Sequence, residues 1–153
     1  QEVAILVARR AAQLLDGSKT VTRRVGWANL KPGDRLKAVR KAMGLRLGEK
    51  VDVLAEIEVI SVRRERLDEI TIEDCIDEGF PKHSPTRFVE MFCSHMSIKD
   101  RRPLCDGPKR PSDWEEFTRK VRPNDVVTRI RFRVVPGTVV ARPGQVPLPG
   151  VSP

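Results

Sequence analysis

The sequence predicts an α+β fold in which a small mixed, mostly antiparallel sheet curls into a β-barrel, with flanking helices over a cleft at one opening. Three observations lead there. The 153 residues, 39% of them apolar, suit one domain with a modest core. The signals run strand, helix, strands, long strand, helices, strand, with no repeated strand–helix–strand unit, which argues against a doubly wound parallel sheet. The longest strand signal, Val51 to Arg63, sets Val51, Val53, Ala55, Ile57, Val59 and Ser61 on one face and Asp52, Leu54, Glu56, Glu58, Ile60 and Val62 on the other, as a half-buried antiparallel strand does.

Val3 to Ala8 reads as a buried strand, and Ala8 to Leu15 as a short helix with Ala11, Ala12, Leu14 and Leu15 on its apolar side. Asp16-Gly17 stops that helix, because glycine takes the left-handed conformation readily. Lys19 to Arg24, with Thr20, Val21 and Thr22, reads as a strand. Lys31-Pro32-Gly33-Asp34 is a tight turn into the strand Arg35 to Arg40, and Lys41 to Lys50 is a loop or hairpin tip. Thr71, with Asp74 three residues later, opens a capped helix that closes at Glu78-Gly79. Thr86 to Met96 forms a second helix with Phe88, Val89, Phe92 and Met96 on one stripe. Lys99 to Pro111, basic and holding three prolines, reads as a surface loop. Ser112 to Lys120 starts with an N-cap residue and carries Trp114 and Phe117 three apart, as a further helix would. Val126 to Val135 is a strand in which Val127, Arg129, Arg131 and Arg133 alternate against Val126, Ile130, Phe132 and Val134. Residues 1–135 make up the folded domain; residues 136–153, with five prolines and three glycines, are expected to be a disordered tail.

Composition narrows the function classes. The apolar run Val3 to Ala8 is six residues long, far short of the ~20 a membrane span needs. No secretory signal is visible, and the chain begins at Gln1 without a Met, so preceding residues are expected. Three cysteines, an odd number, suit a reducing, cytoplasmic setting rather than a disulfide scaffold. Cys75, His83, Cys93, His95 and Cys105 lack the paired spacing of a zinc site, so no metal is expected, and no residue pattern calls for a cofactor. The net charge of +8 favours polyanions, nucleic acid first. The bases concentrate late: eleven lie between Lys99 and Arg133, against six acids. Arg129, Arg131 and Arg133 share one strand face and need an anionic partner, for which Glu56 and Glu58 are candidates within the chain.

The densest polar cluster is Asp16-Gly17-Ser18-Lys19-Thr20-Val21-Thr22-Arg23-Arg24, directly after a helix stop. A lysine, hydroxyls and two arginines on one short strand can line an anion-accepting cleft; a charged edge that blocks aggregation explains the spacing equally well. Lys19 reads as a phosphate contact, and Thr22 as an ordinary β-branched strand residue. Arg23 and Arg24 read as ligand or ion-pair partners, and Trp27 as a base-stacking platform or a core plug.

Gly17-Ser18-Lys19-Thr20-Val21-Thr22-Arg23-Arg24, followed by Leu30-Lys31-Pro32-Gly33-Asp34, resembles the ASCH domain family, relatives of the PUA RNA-binding fold. Gly17, Lys19, Arg24, Gly33 and Asp34 match the family pattern, and Asp77-Glu78-Gly79-Phe80 resembles its Glu-Gly-Phe element. Thr22 stands where many members carry an acid, as in the bacterial subset similar to N4-acylcytidine amidohydrolases. The resemblance spans about Val3 to Val135, with extra length between Phe88 and Lys120. It implies a β-barrel whose cleft accepts RNA, another single strand or a modified nucleoside, with Lys19, Thr20, Arg23, Arg24, Trp27, Arg129 and Arg131 as ligand contacts. In the amidohydrolase-like members a lysine, a threonine and a glutamate carry hydrolysis, which map to Lys19, Thr22 and Glu78. The expected functions are therefore nucleic-acid binding, hydrolysis of an acylated cytidine and, third, a ribonuclease activity.

Overall fold

The structure of the chain, a computed structural model, describes residues 4–7, 10–40, 47–48, 52–107 and 110–140. The elements are β1 (Ala4–Val7), α1 (Ala11–Asp16), β2 (Val21–Arg24), β3 (Arg35–Val39), β4 (Val53–Arg66), α2 (Ile72–Asp77), α3 (Pro85–His95), β5 (Ser97–Pro103), β6 (Trp114–Lys120) and β7 (Val126–Val134). Short 3-10 turns at Leu67–Glu69 and Pro111–Asp113 lead into α2 and β6. The expected elements appear through most of this order, while the expected loop at 41–50 and the tail beyond residue 140 lie largely or wholly outside the described residues.

Five strands form one sheet in the order β1-β3-β4-β7-β2. Among the described residues only β1 and β3 run parallel, and every other pairing is antiparallel. The outer strands β1 and β2 do not pair with each other among the described residues, so the sheet is open rather than closed into the expected barrel. β4 is the long spine: Val53 to Glu58 lie along β3, and Ile57 to Arg66 along β7. The β4–β7 register shifts between Val59 and Ser61, which leaves Ile60 outside the ladder and exposed.

Two apolar clusters hold the sheet. Ala11 and Leu14 of α1 pack with Leu36, Ala38, Leu54, Ile57, Val59, Ile130 and Phe132. Phe88, Val89 and Phe92 of α3 pack with Leu67, Ile70, Cys75, Val121 and Val127. Local chemistry sets the helix ends. Gly17, at φ +84°, closes α1 in the left-handed conformation. Thr71 and Asp74 form the reciprocal capping box of α2, each side chain accepting from the other's amide at 3.1 Å. The Ser84 hydroxyl accepts from the Arg87 amide, and Pro85 starts α3.

The segment 97–120 departs from expectation. The basic stretch from Lys99 begins inside a strand, β5, and Trp114–Lys120 is a strand rather than a helix. Trp114, Glu116, Thr118 and Lys120 are exposed while Glu115, Phe117 and Arg119 are half-buried, a period of two. Cross-strand ion pairs reward that register: Arg102 Nε lies 2.7 Å from Glu115 directly opposite, and Arg119 Nε lies 2.7 Å from Asp100. Pairing with β5 outweighs the three-residue aromatic spacing. The start of the expected tail is also tied down, since Thr138 Oγ1 accepts from the Glu56 amide and the Val140 amide donates to Leu54.

Phe132 is 2% exposed at the centre of the first cluster. Phe132→Ala should lower unfolding free energy by ~3–5 kcal/mol in urea titration; a loss near zero would mean that cluster does not carry the fold.

Candidate active site

α1, β2 and the end of α2 meet around Lys19. The Lys19 amide donates to the carbonyl of Gln13 within α1, and the Thr20 amide donates to that of Asp77 at the end of α2, so the backbone before β2 is held from both sides. Glu78-Gly79-Phe80 follows α2 directly. Gly79 has φ +91°, and a Cβ there would lie 3.5 Å from Lys19 Cβ and 3.4 Å from Gln13 Cβ. Glycine therefore lets the chain turn tightly against Lys19 and aims Glu78 at it.

Lys19 is 6% exposed, and its ammonium donates to three oxygens: Val21 O at 3.0 Å, Glu78 O at 2.8 Å and Glu78 Oε2 at 3.1 Å. Burial lowers its pKa below the ordinary lysine range; Glu78 opposes that, and the nearby guanidiniums of Arg24 and Arg10 reinforce it. The other Glu78 oxygen takes Arg23 Nη1 at 3.2 Å. Arg23, its side chain wholly buried, also holds Glu65 at 2.7 Å and Asp74 at 3.1 Å through Nη2, while its Nε has no partner. Asp74 in turn lies 3.4 Å from buried Arg129. Burial acts to raise the Asp74 carboxyl, but the Thr71 amide, Arg23 and Arg129 outweigh it and hold it below the usual range.

Lys19, Thr22, Arg23, Arg24 and Glu78 line one hollow enclosing about 530 Å³, part of it open to solvent. The opposite wall is Phe80, Phe88, Met91, Phe92 and Met96, with Arg10 and His95 also lining it. The Arg10 guanidinium lies 4.1 Å from the centre of the Phe80 ring, which meets Phe88 edge-on at 5.6 Å. One wall can thus move protons and stabilise negative charge, and the other can hold a flat apolar group.

The remaining candidate residues fall elsewhere. Thr20, half-buried, and Arg131 line a separate groove between α1 and β7, where Arg131 faces Asp77 at 3.7 Å. Arg129 is 7% exposed and serves Asp74. Trp27 packs against the first apolar cluster and not the hollow. Arg133 is answered by Glu58, its Nε 2.7 Å from that carboxylate. Arg10, Phe80, Met91 and His95 belong to the hollow without any cue in the sequence beyond Phe80's place in the Glu-Gly-Phe element. Among the described residues, no group of three or more His, Cys, Asp or Glu could hold a metal ion, and no helix is long and apolar enough to cross a membrane.

Two measurements probe this assembly. Gly79→Ala forces a side chain into a left-handed backbone; it should cost ~1–2 kcal/mol in denaturant unfolding and shift the Lys19 and Glu78 resonances, and an unchanged spectrum would contradict the close approach. The depressed Asp74 pKa contributes stability above its unfolded value near ~3.9, and that contribution is lost as pH falls through the lower folded value. Asp74→Asn should therefore flatten the acid limb of a stability–pH curve; an identical limb would remove Asp74 from that role.

No family model and no curated protein sequence matches the chain. Among solved structures, the chain is similar to protein EF3133 from Enterococcus faecalis V583, of the DUF984 family, with a TM-score of 0.52 and 14% sequence identity. The match covers 88% of this chain and 76% of that one, and at this identity it speaks for a shared fold.

Proposed function

We propose that the hollow binds a single modified pyrimidine nucleoside and that Lys19, Thr22 and Glu78 hydrolyse the amide on its exocyclic nitrogen, as in N4-acylated cytidine. The observation that carries this reading is the Lys19–Glu78 contact of 3.1 Å inside the same hollow as the buried Thr22 hydroxyl. The fold match to EF3133, whose family is of the ASCH/PUA-like type, is consistent with it and supports the kinship suggested by Gly17, Lys19, Arg24 and the Glu-Gly-Phe element.

The chemistry runs on one shared proton. When Lys19 Nζ passes a proton to Glu78 Oε2, the pair becomes an amine and a carboxylic acid without changing its net charge, a state that burial favours. The amine takes the Thr22 hydroxyl proton as Oγ bonds to the acyl carbon. Arg24, on the same wall, faces the negative charge that develops on the acyl oxygen. Glu78 gives its proton to the nitrogen as the carbon–nitrogen bond breaks, releasing the cytosine amine. Water then attacks the Thr22 ester, yielding its proton to Glu78, and the Lys19 ammonium returns a proton to Thr22 Oγ as the carboxylic acid departs. The sum is amide plus water to acid plus amine.

Nucleic-acid binding is the second reading, favoured by the net charge of +8. It ranks behind because the late basic run is largely matched within the chain: Lys99 with Glu116, Arg102 with Glu115, Arg119 with Asp100 and Asp125, Arg133 with Glu58.

Incubation with N4-acetylcytidine should release cytidine and acetate. Lys19→Ala, Thr22→Val and Glu78→Gln should each lower kcat by at least ~10²-fold, and Thr22→Ser should retain activity through an acetyl-enzyme visible by mass spectrometry. Equal rates in all three variants would sink the trio. Binding of short RNA with a steep salt dependence and no product would favour the second reading.

A further inference from the structure

The apolar wall of the hollow is larger than the removal of an acetyl group needs. It is built of Phe80, Phe88, Met91, Phe92 and Met96, five side chains that carry no N–H or O–H donor. Phe88 and Phe92 are 2% and 4% exposed and are fixed by the second core cluster. The ring centres of Phe80 and Phe88 lie 5.6 Å apart and those of Phe88 and Phe92 6.2 Å apart, so the three rings form one connected row. Met91 and Met96 are half-buried and line the same space.

The polar side chains of the hollow decide which part of a substrate meets that wall. The proposed reaction brings the acyl carbon to Thr22 Oγ and the amide nitrogen to Glu78, which gives it a proton. Thr22, Glu78 and Lys19 all belong to the polar wall. The nucleoside, attached through that nitrogen, is thereby drawn along the side that carries donors. Against the phenylalanines and methionines, the base's O2 and N3 acceptors would be buried without partners, which is costly. The other arm of the acyl carbon has no polar atom beyond its carbonyl and is left to face the rings. An acetyl group offers them one methyl and leaves most of the wall against water. A larger apolar acyl group covers the wall, and the gain grows with the apolar area removed from water.

We propose that the wall is the acyl site, that the protein prefers branched or aromatic acyl groups over acetyl, and that Met91 and Met96 set that preference. This deepens the proposed amide hydrolysis and rests on it. The bond broken and the water consumed are the same, and the products are cytidine and the larger carboxylic acid.

The test compares kcat/KM of the full chain for N4-acetyl-, N4-isobutyryl- and N4-benzoylcytidine, each divided by the rate of the same amide in alkali to remove intrinsic reactivity. The two larger amides should exceed the acetyl one by about tenfold or more. Met91→Gln and Met96→Gln, which put a polar amide on the wall at similar length, should each lower the benzoyl-to-acetyl ratio, and Met91→Leu should keep most of it. A ratio taken within one protein cancels any loss of folded fraction. Calorimetric binding of N4-benzylcytidine and N4-methylcytidine, which lack the acyl carbon, reads the wall without the reaction; the benzyl compound should bind about tenfold tighter. Normalised rates that do not rise with acyl size, equal affinities for the two alkyl compounds, or a ratio unmoved by both glutamine variants would overturn the proposal. If no amide is hydrolysed while the benzyl preference stands and falls with the two methionines, the apolar site is upheld and the hydrolase reading alone fails. Hydrolysis of N4-acetylcytidine with no preference for size defeats this proposal alone.

Discussion

Arg23 is the constraint around which the site is arranged. Its side chain is wholly buried, and three carboxylates from three places in the chain converge on it: Glu65 late in β4, Asp74 in α2 and Glu78 just past α2. A charge in that position is tolerable only when it is matched, since removing one partner of a buried pair costs ~3–5 kcal/mol. The requirement works in both directions. It pins α2 over β2 and β7, and it fixes one oxygen of Glu78 so that the other is presented to Lys19. Strand edge, helix and catalytic candidates are thus positioned by one guanidinium.

The charge distribution has the same logic on a larger scale. A net charge of +8 suggests a broad basic face, but the β5–β6 ribbon spends its bases on its own acids across the ladder. Exposed pairs of this kind contribute little, ~0–1 kcal/mol each, yet they cancel local field. The hollow is different: its carboxylate Glu78 lies between two cations, Lys19 and Arg23, and all three are buried. Where water is partly excluded, such charges act on one another more strongly than exposed pairs do.

Much of this was legible from residues, for identifiable reasons. The turn at Gly17, the Thr71–Asp74 cap and the long alternating β4 are local signals, and each appears where the sequence places it. Lys19, Thr22 and Glu78 lie at one hollow because a lysine after a helix stop and a Glu-Gly-Phe element mark two chain reversals, and reversals bring distant side chains together. The ribbon was not legible, because Trp114 and Phe117 satisfy a helical spacing and a strand spacing differs only through partners on β5. Barrel closure depends on pairing between β1 and β2, which no local pattern encodes. Arg10 escaped notice because its importance lies in a ring contact with Phe80, seventy residues away in the chain.

The helix α3 gives the hollow its apolar wall and the second core cluster its centre at the same time. Phe88 and Phe92 serve both, and both are buried. A change at either residue alters the ligand surface only by also opening a gap in the core, where packing is dense and volume changes are felt. Met91 and Met96, half-buried, line the same hollow and pack only at the edge of that cluster, while His95 lines the hollow and is exposed, so substitution there acts more on the ligand surface than on the core. Variation in what this fold accepts is therefore expected to run through positions 91, 95 and 96, in and just past the last turns of α3, while 88 and 92 are held by the requirement to fold. Met91 and Met96, flexible and polarizable, fit a wall that must accommodate acyl groups of differing size.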